Sequence, residues 1–169
     1  VETSGAKLAA PSELVARFDN FLRWEPIPPK SAEDLAKVSA RLCRLMRDEV
    51  TEQLAERSPA LTALAADWRK LLFPEADDEH FADGYAQAVT FGLLMARSSS
   101  IRLANGLDQV GKQLGKTNSL IGAALRLLTD EVGNEATLKT SLGALVRVLD
   151  AVNWQVVSKG KPDAWLYFY

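Results

Sequence analysis

The chain has 169 residues, of which 47% are hydrophobic and 25% charged, with a net charge of −2. That length and balance allow one folded domain with a sizeable core and exclude an intrinsically disordered chain. The charge excludes a global basic field that would condense the chain on nucleic acid, so any DNA contact has to come from a local patch.

Taken in order, the residues read as successive helices separated by proline and polar breaks. Residues 1–10 read as a disordered or appended N-terminus. A first helix runs from Pro11 toward Trp24, with Leu14, Phe18, Phe21 and Leu22 spaced for one face. Pro26, Pro28 and Pro29 then force an extended linker, because proline removes amide donors and restricts its predecessor. Ser31 is placed as the N-cap of a long second helix reaching about Arg57, with Glu33 and Asp34 in its first turn. Its buried stripe is Leu35, Val38, Leu42, Leu45 and Met46. Pro59 suits the first turn of a third helix that Pro74 ends.

Asp77, Asp78 and Glu79 open a fourth helix that contains Phe81 to Arg97 and closes at Ser98, Ser99 and Ser100. From Ile101 to Lys116, Gly106, Gly111 and Gly115 weaken helical preference, which predicts a short or irregular helix. Asn118 and Ser119 cap another helix expected to reach about Val132, and a turn at Gly133 and Asn134 leads to a last helix over 135–157. Residues 158–169 form a loop and an aromatic end, Trp165, Leu166, Tyr167, Phe168 and Tyr169, expected to run into a further domain. No alternating run supports a strand, so the expected fold is all-α, an irregular bundle of about six to seven helices, with residues 11–157 as its domain.

Several chemistries fail on residue count. His80 is the only histidine and Cys43 the only cysteine, so no paired Cys/His zinc site and no internal disulfide can form. A lone thiol and no visible signal peptide fit a cytoplasmic setting, and no apolar run is long enough to span a bilayer. Gly111 to Thr117 ends in Gly-Lys-Thr like a phosphate-binding loop, but Val110 stands where the first glycine belongs and no strand precedes it. His80, the acidic start at Asp77–Glu79, and Glu49, Glu52 and Glu56 read as ordinary surface charge.

Two features remain. Lys37, Arg41 and Arg44 share a face of the second helix, with Arg47 one turn on, and could meet DNA phosphates if not simply solvated. Gly84, Ala88, Gly92 and Ala96 recur every four residues of the fourth helix, a smooth groove suited to another helix, flanked by Phe81, Tyr85 and Gln87.

The segment Phe81-Ala82-Asp83-Gly84-Tyr85-Ala86-Gln87 through Phe91-Gly92-Leu93-Leu94-Met95-Ala96-Arg97 resembles one found in large N6-adenine DNA methyltransferases, the fused restriction–modification enzymes of the type IIG and type ISP kind. Ala88 and Phe91 stand where that family has Thr and Tyr. The end, Asp163-Ala164-Trp165-Leu166-Tyr167-Phe168-Tyr169, is similar to the family's approach to its methyltransferase fold.

The resemblance implies a helical connector, often lying between a methyltransferase domain and an upstream nuclease or ATPase. S-adenosylmethionine would be the cofactor of the parent enzyme, with its binding and catalytic motifs outside these residues. The methyltransferase domain of the same polypeptide and DNA are the implied partners, and no membrane. No catalytic, cofactor-binding or metal residue carries over. Phe81, Tyr85, Gln87, Gly92 and Arg97 carry over as packing positions. The competing expectation is a stand-alone helical adaptor that binds a partner helix through Gly84, Ala88 and Gly92.

Overall fold

A computed structural model describes residues 26–130 and 137–159. The expected helix over 11–24, the turn at 133–134 and the aromatic end lie outside the described residues. Within them the chain is all-α, an irregular helical bundle: α1 Ala32–Ala55, α2 Pro59–Leu71, α3 Asp78–Ser98, a single 3-10 turn Leu103–Asn105, α4 Leu107–Gly115, α5 Ser119–Leu128, α6 Lys139–Ala151 and α7 Trp154–Val157.

Local chemistry sets most boundaries. Ser31 Oγ accepts from the Asp34 amide at 3.1 Å and donates to the Asp34 carboxylate at 2.7 Å, satisfying an orphan donor at the start of α1. The helix closes through Arg57, whose φ of 58° is left-handed, and the Ser58 amide reaches back to the Gln53 carbonyl at 2.9 Å. Pro59 occupies the first turn of α2, where its missing N–H costs nothing. Asp77 caps α3 by accepting from the His80 amide at 2.8 Å. At its far end Ser100, φ 61°, lets the Ile101 amide bond the Ala96 carbonyl.

The core is organised around α3, whose Phe81, Tyr85, Val89 and Leu93 are fully buried. It packs against α1, α2, α4, α5 and α6, while α1 also meets α2 and α6. One apolar cluster runs through all these helices, with Leu35, Met46, Leu61, Leu114, Leu125 and Leu145 among its members.

Four expectations need correction. Leu45, placed in the buried stripe of α1, is exposed. The last helix does not continue to residue 157. It stops at Ala151, Val152 is extended, and Asn153 caps the separate turn α7 through the Val156 amide. The helix expected to reach about Val132 ends at Leu128, where Thr129 leaves helical geometry and its hydroxyl folds back on the Leu125 carbonyl at 2.7 Å. Glu49 is not plain surface charge. Half-buried on α1, its carboxylate accepts from the Ser141 amide at 3.0 Å, in the first turn of α6, where the helix dipole favours an anion.

The irregular stretch over 101–116 resolves into the 3-10 turn and α4. Gly106, φ 88°, makes the reversal between them, a geometry that favours glycine. Asp150 holds this corner, accepting from the Leu103 amide at 2.7 Å and from Arg102 at 3.1 Å.

Candidate functional site

The motif positions on α3 point in different directions and each is tied to another helix. The Phe81 ring meets Trp68 of α2 edge-on, with centroids 5.3 Å apart at 86°. Tyr85, fully buried, donates its phenol O–H to the Leu128 carbonyl at 2.5 Å and so satisfies an orphan acceptor at the end of α5. Burial pushes the Tyr85 phenol well above its ordinary value, which keeps the hydroxyl protonated and donating. Tyr85→Phe deletes that donor and leaves the carbonyl unpaired, at an expected cost of about 1–3 kcal/mol in a urea melt.

Gly92 lies beneath Leu125 of α5, where an added Cβ would come within 3.1 Å of Cδ1. Arg97 makes the longest reach of the set. Its Nε donates to the Leu149 carbonyl at 3.1 Å, Nη2 to Val152 at 2.8 Å and Nη1 to Ile101 at 2.8 Å. One guanidinium thus gathers carbonyls at the C-terminal end of α6 and in the loop after α3. Gln87 differs from the rest. It is exposed, and its hydrogen-bond partner is on its own helix, the Asp83 carboxylate, to which it donates at 2.7 Å.

The stripe of small residues is largely consumed inside the fold. A Cβ on Gly84 would stand 3.0 Å from the Trp68 indole, Gly92 meets Leu125, and Ala96 is fully buried. Only Ala88 is exposed. The groove expected from Gly84, Ala88 and Gly92 therefore already holds side chains of α2 and α5.

On α1, Lys37, Arg41 and Arg44 are all exposed along one face. Lys37 is held by Glu33, one turn earlier, at 2.6 Å, and that hydrogen bond raises its pKa. Arg47 is similarly drawn to Asp48 at 2.9 Å. The cationic face is therefore carried chiefly by Arg41 and Arg44.

His80 is exposed with Nδ1 2.7 Å from the Asp77 carboxylate. That hydrogen bond raises the histidine pKa above 6.5, while the His80 amide and ring together lower that of Asp77. Among the described residues no group of three or more His, Cys, Asp or Glu side chains is placed to hold a metal ion. Gly111 to Gly115 lies within α4, where Lys112 pairs with Asp108, so the amides of this segment serve the helix and not a phosphate cradle. The Lys112 ammonium, with Arg126 3.0 Å away, holds the Asp108 carboxyl below its usual range. No described helix is long and apolar enough to cross a membrane.

Sequence reasoning missed Glu49 and Asp150, which act through backbone amides far away in the chain. Their only sequence signal is an acidic residue on an otherwise half-buried helical face. Compared with known proteins, the chain matches no family model, no curated protein and no solved structure.

Proposed function

We propose that the chain is a rigid helical connector of an adenine-specific DNA methyltransferase or fused restriction–modification enzyme, positioning the methyltransferase domain relative to its other modules. In this reading S-adenosylmethionine belongs to the parent enzyme, DNA is approached through the Arg41 and Arg44 face, and the setting is the cytoplasm.

The observation that carries the reading is the use made of the motif on α3. Phe81, Tyr85, Gly92 and Arg97 fasten α2, α5 and α6 to one central helix. A body built this way transmits position without hinging, which is what a connector has to do. Apolar surface on two different helices adds to it. Leu71, Leu72 and Phe73 are 74%, 62% and 56% exposed at the end of α2, and Leu120 and Leu127 stand out from α5. Exposed apolar surface of this kind marks places where further protein packs. The same surface is what the adaptor reading would use, with Leu120, Ala123, Ala124 and Leu127 as its docking face in place of Gly84 and Gly92.

The test uses the full-length protein. Purified enzyme should transfer methyl groups from S-adenosylmethionine to the N6 position of adenine in DNA. Arg41→Glu with Arg44→Glu should weaken DNA binding and lower the slope of log affinity against log salt by about two. Lys37→Glu should change it less, since Glu33 already holds that ammonium. A full-length protein that neither methylates DNA nor binds S-adenosylmethionine overturns the connector reading. An unchanged salt slope removes the DNA face.

A further inference from the structure

The outer face of α5 carries an apolar stripe that no described helix covers. Leu120, Ala123, Ala124 and Leu127 are all exposed there, the two leucines at 79% and 65%. At 3.6 residues per turn the four lie within an arc of about 100°. Gly122, Leu125 and Leu128 are buried on the opposite side. No charge falls on the stripe: residues 118–125 carry none, and Arg126 turns off it toward Asp108 of α4. A single exposed leucine is ordinary, but a contiguous apolar face on a helix marks a contact surface.

Sizes along the stripe read the same in both directions, Leu-x-x-Ala-Ala-x-x-Leu. We infer that it is covered by α5 of a second copy of the chain, antiparallel about a two-fold axis between Ala123 and Ala124. A two-fold interface has to be self-complementary, because the same patch serves both subunits. This axis sets Leu120 of each copy level with Leu127 of the other, and Ala123 level with Ala124. Alanines at the crossing let the helices approach to the short end of the usual spacing of about 8–10 Å. The leucines then close both ends of the contact.

Charge agrees with the same direction. Lys116 is exposed just before α5 and Asp130 just after it. Antiparallel pairing brings Lys116 of each copy to the end of the other that carries Asp130, whereas parallel pairing sets like charges together. The support is firm, since α5 rests at Gly122 on the backbone of α4 and presents the stripe without reordering. Its ten residues span about 15 Å. Contact over that length falls below the standard interface of about 1,600 Å², so the dimer is weak and reversible.

Sedimentation equilibrium of the full chain, from about 5 to 1,000 µM, should show monomer and dimer with half-association at roughly 10–500 µM. Leu120→Lys with Leu127→Lys removes four leucines from each dimer and should raise the dissociation constant at least about a hundredfold. A chain that stays monomeric throughout overturns the proposal and leaves the stripe to a different protein or domain. A dimer that survives the double substitution, or an assembly that grows past two, overturns it as well, because another face then makes the contact.

Crosslinking tests the direction without relying on the lysine variants. Cys43→Ser removes the only native thiol. In that background Ala124→Cys should give a disulfide-linked dimer, since its two copies flank the axis within reach of the bond. Leu120→Cys alone should link at least about tenfold more slowly, its copies standing roughly 10 Å apart along the helices. An equal mixture of Leu120→Cys and Leu127→Cys chains should link readily. Equal rates for Ala124→Cys and Leu120→Cys mean parallel pairing and overturn the two-fold.

Discussion

Replacing Arg97 with alanine is expected to destabilise the chain by about 3–5 kcal/mol, because three carbonyls lose charge-assisted donors in a buried setting. Arg97 is only 9% exposed, and its guanidinium serves Leu149, Val152 and Ile101 together. The loss should show as a lower urea midpoint, with first exchange of the α7 amides, since the Val152 carbonyl fixes the break that precedes α7. Arg97→Lys keeps the charge but has a single ammonium in place of a planar fork, and cannot reach three acceptors spread over α6 and the post-α3 loop. It should recover less than half of the loss. A change below about 1 kcal/mol in the alanine variant would mean that water replaces the guanidinium without penalty.

How far this fold was legible follows from where each determinant sits in the chain. Ser31, Asp77 and Asn118 act on amides three residues away; Ser31 and Asn118 were readable as caps and Asp77 as part of an acidic helix start. Pro59 and Pro74 punctuate α2 by purely local means. The break after Ala151 carries one local signal that was not read, Asn153 capping on the Val156 amide, and one distant partner, Arg97, more than fifty residues upstream. Glu49 was misread because its partner is equally distant. On α1 it looks like one of several surface acids, and only the arrival of α6 makes it a cap.

The candidate site divides along the same line. The resemblance marked Phe81, Tyr85, Gln87, Gly92 and Arg97 as packing positions of α3, and of these Gln87 is exposed. The small-residue stripe was visible, but which neighbours fill it was not. Trp68 and Leu125 reach Gly84 and Gly92 from helices whose placement depends on the whole bundle.

Glycine in α4 and α5 shows why a local propensity argument has the wrong sign here. Gly111 and Gly115 lower the helical preference of α4, yet they let α5 approach at backbone distance. A Cβ on Gly122 would stand 2.4 Å from the Gly115 nitrogen, 2.5 Å from its Cα and 2.6 Å from the Gly111 carbonyl oxygen. None of these atoms can rotate away, so Gly122→Ala must force the two helices apart. We expect a loss of about 3 kcal/mol or more, at the upper end of overpacking costs. The displacement should also disturb the seat of Leu125 on Gly92 and the Tyr85 bond to Leu128, because both partners ride on α5. Gly111→Ala should cost less, since its nearest obstacle is the Arg126 side chain, Cγ at 2.2 Å, whose displacement costs a half-exposed ion pair with Asp108, while the nearest backbone atom, the Gly122 carbonyl oxygen, stands farther off at 3.1 Å. Gly143→Ala is the opposite case. It lies inside α6 with nothing within 4 Å of the added carbon, so the helix should gain up to about 1 kcal/mol. Denaturation midpoints that rank Gly143→Ala above the unmodified chain, then Gly111→Ala, then Gly122→Ala, would establish the α4–α5 crossing as a backbone contact. Equal midpoints for the three variants would show that helical preference alone governs these positions.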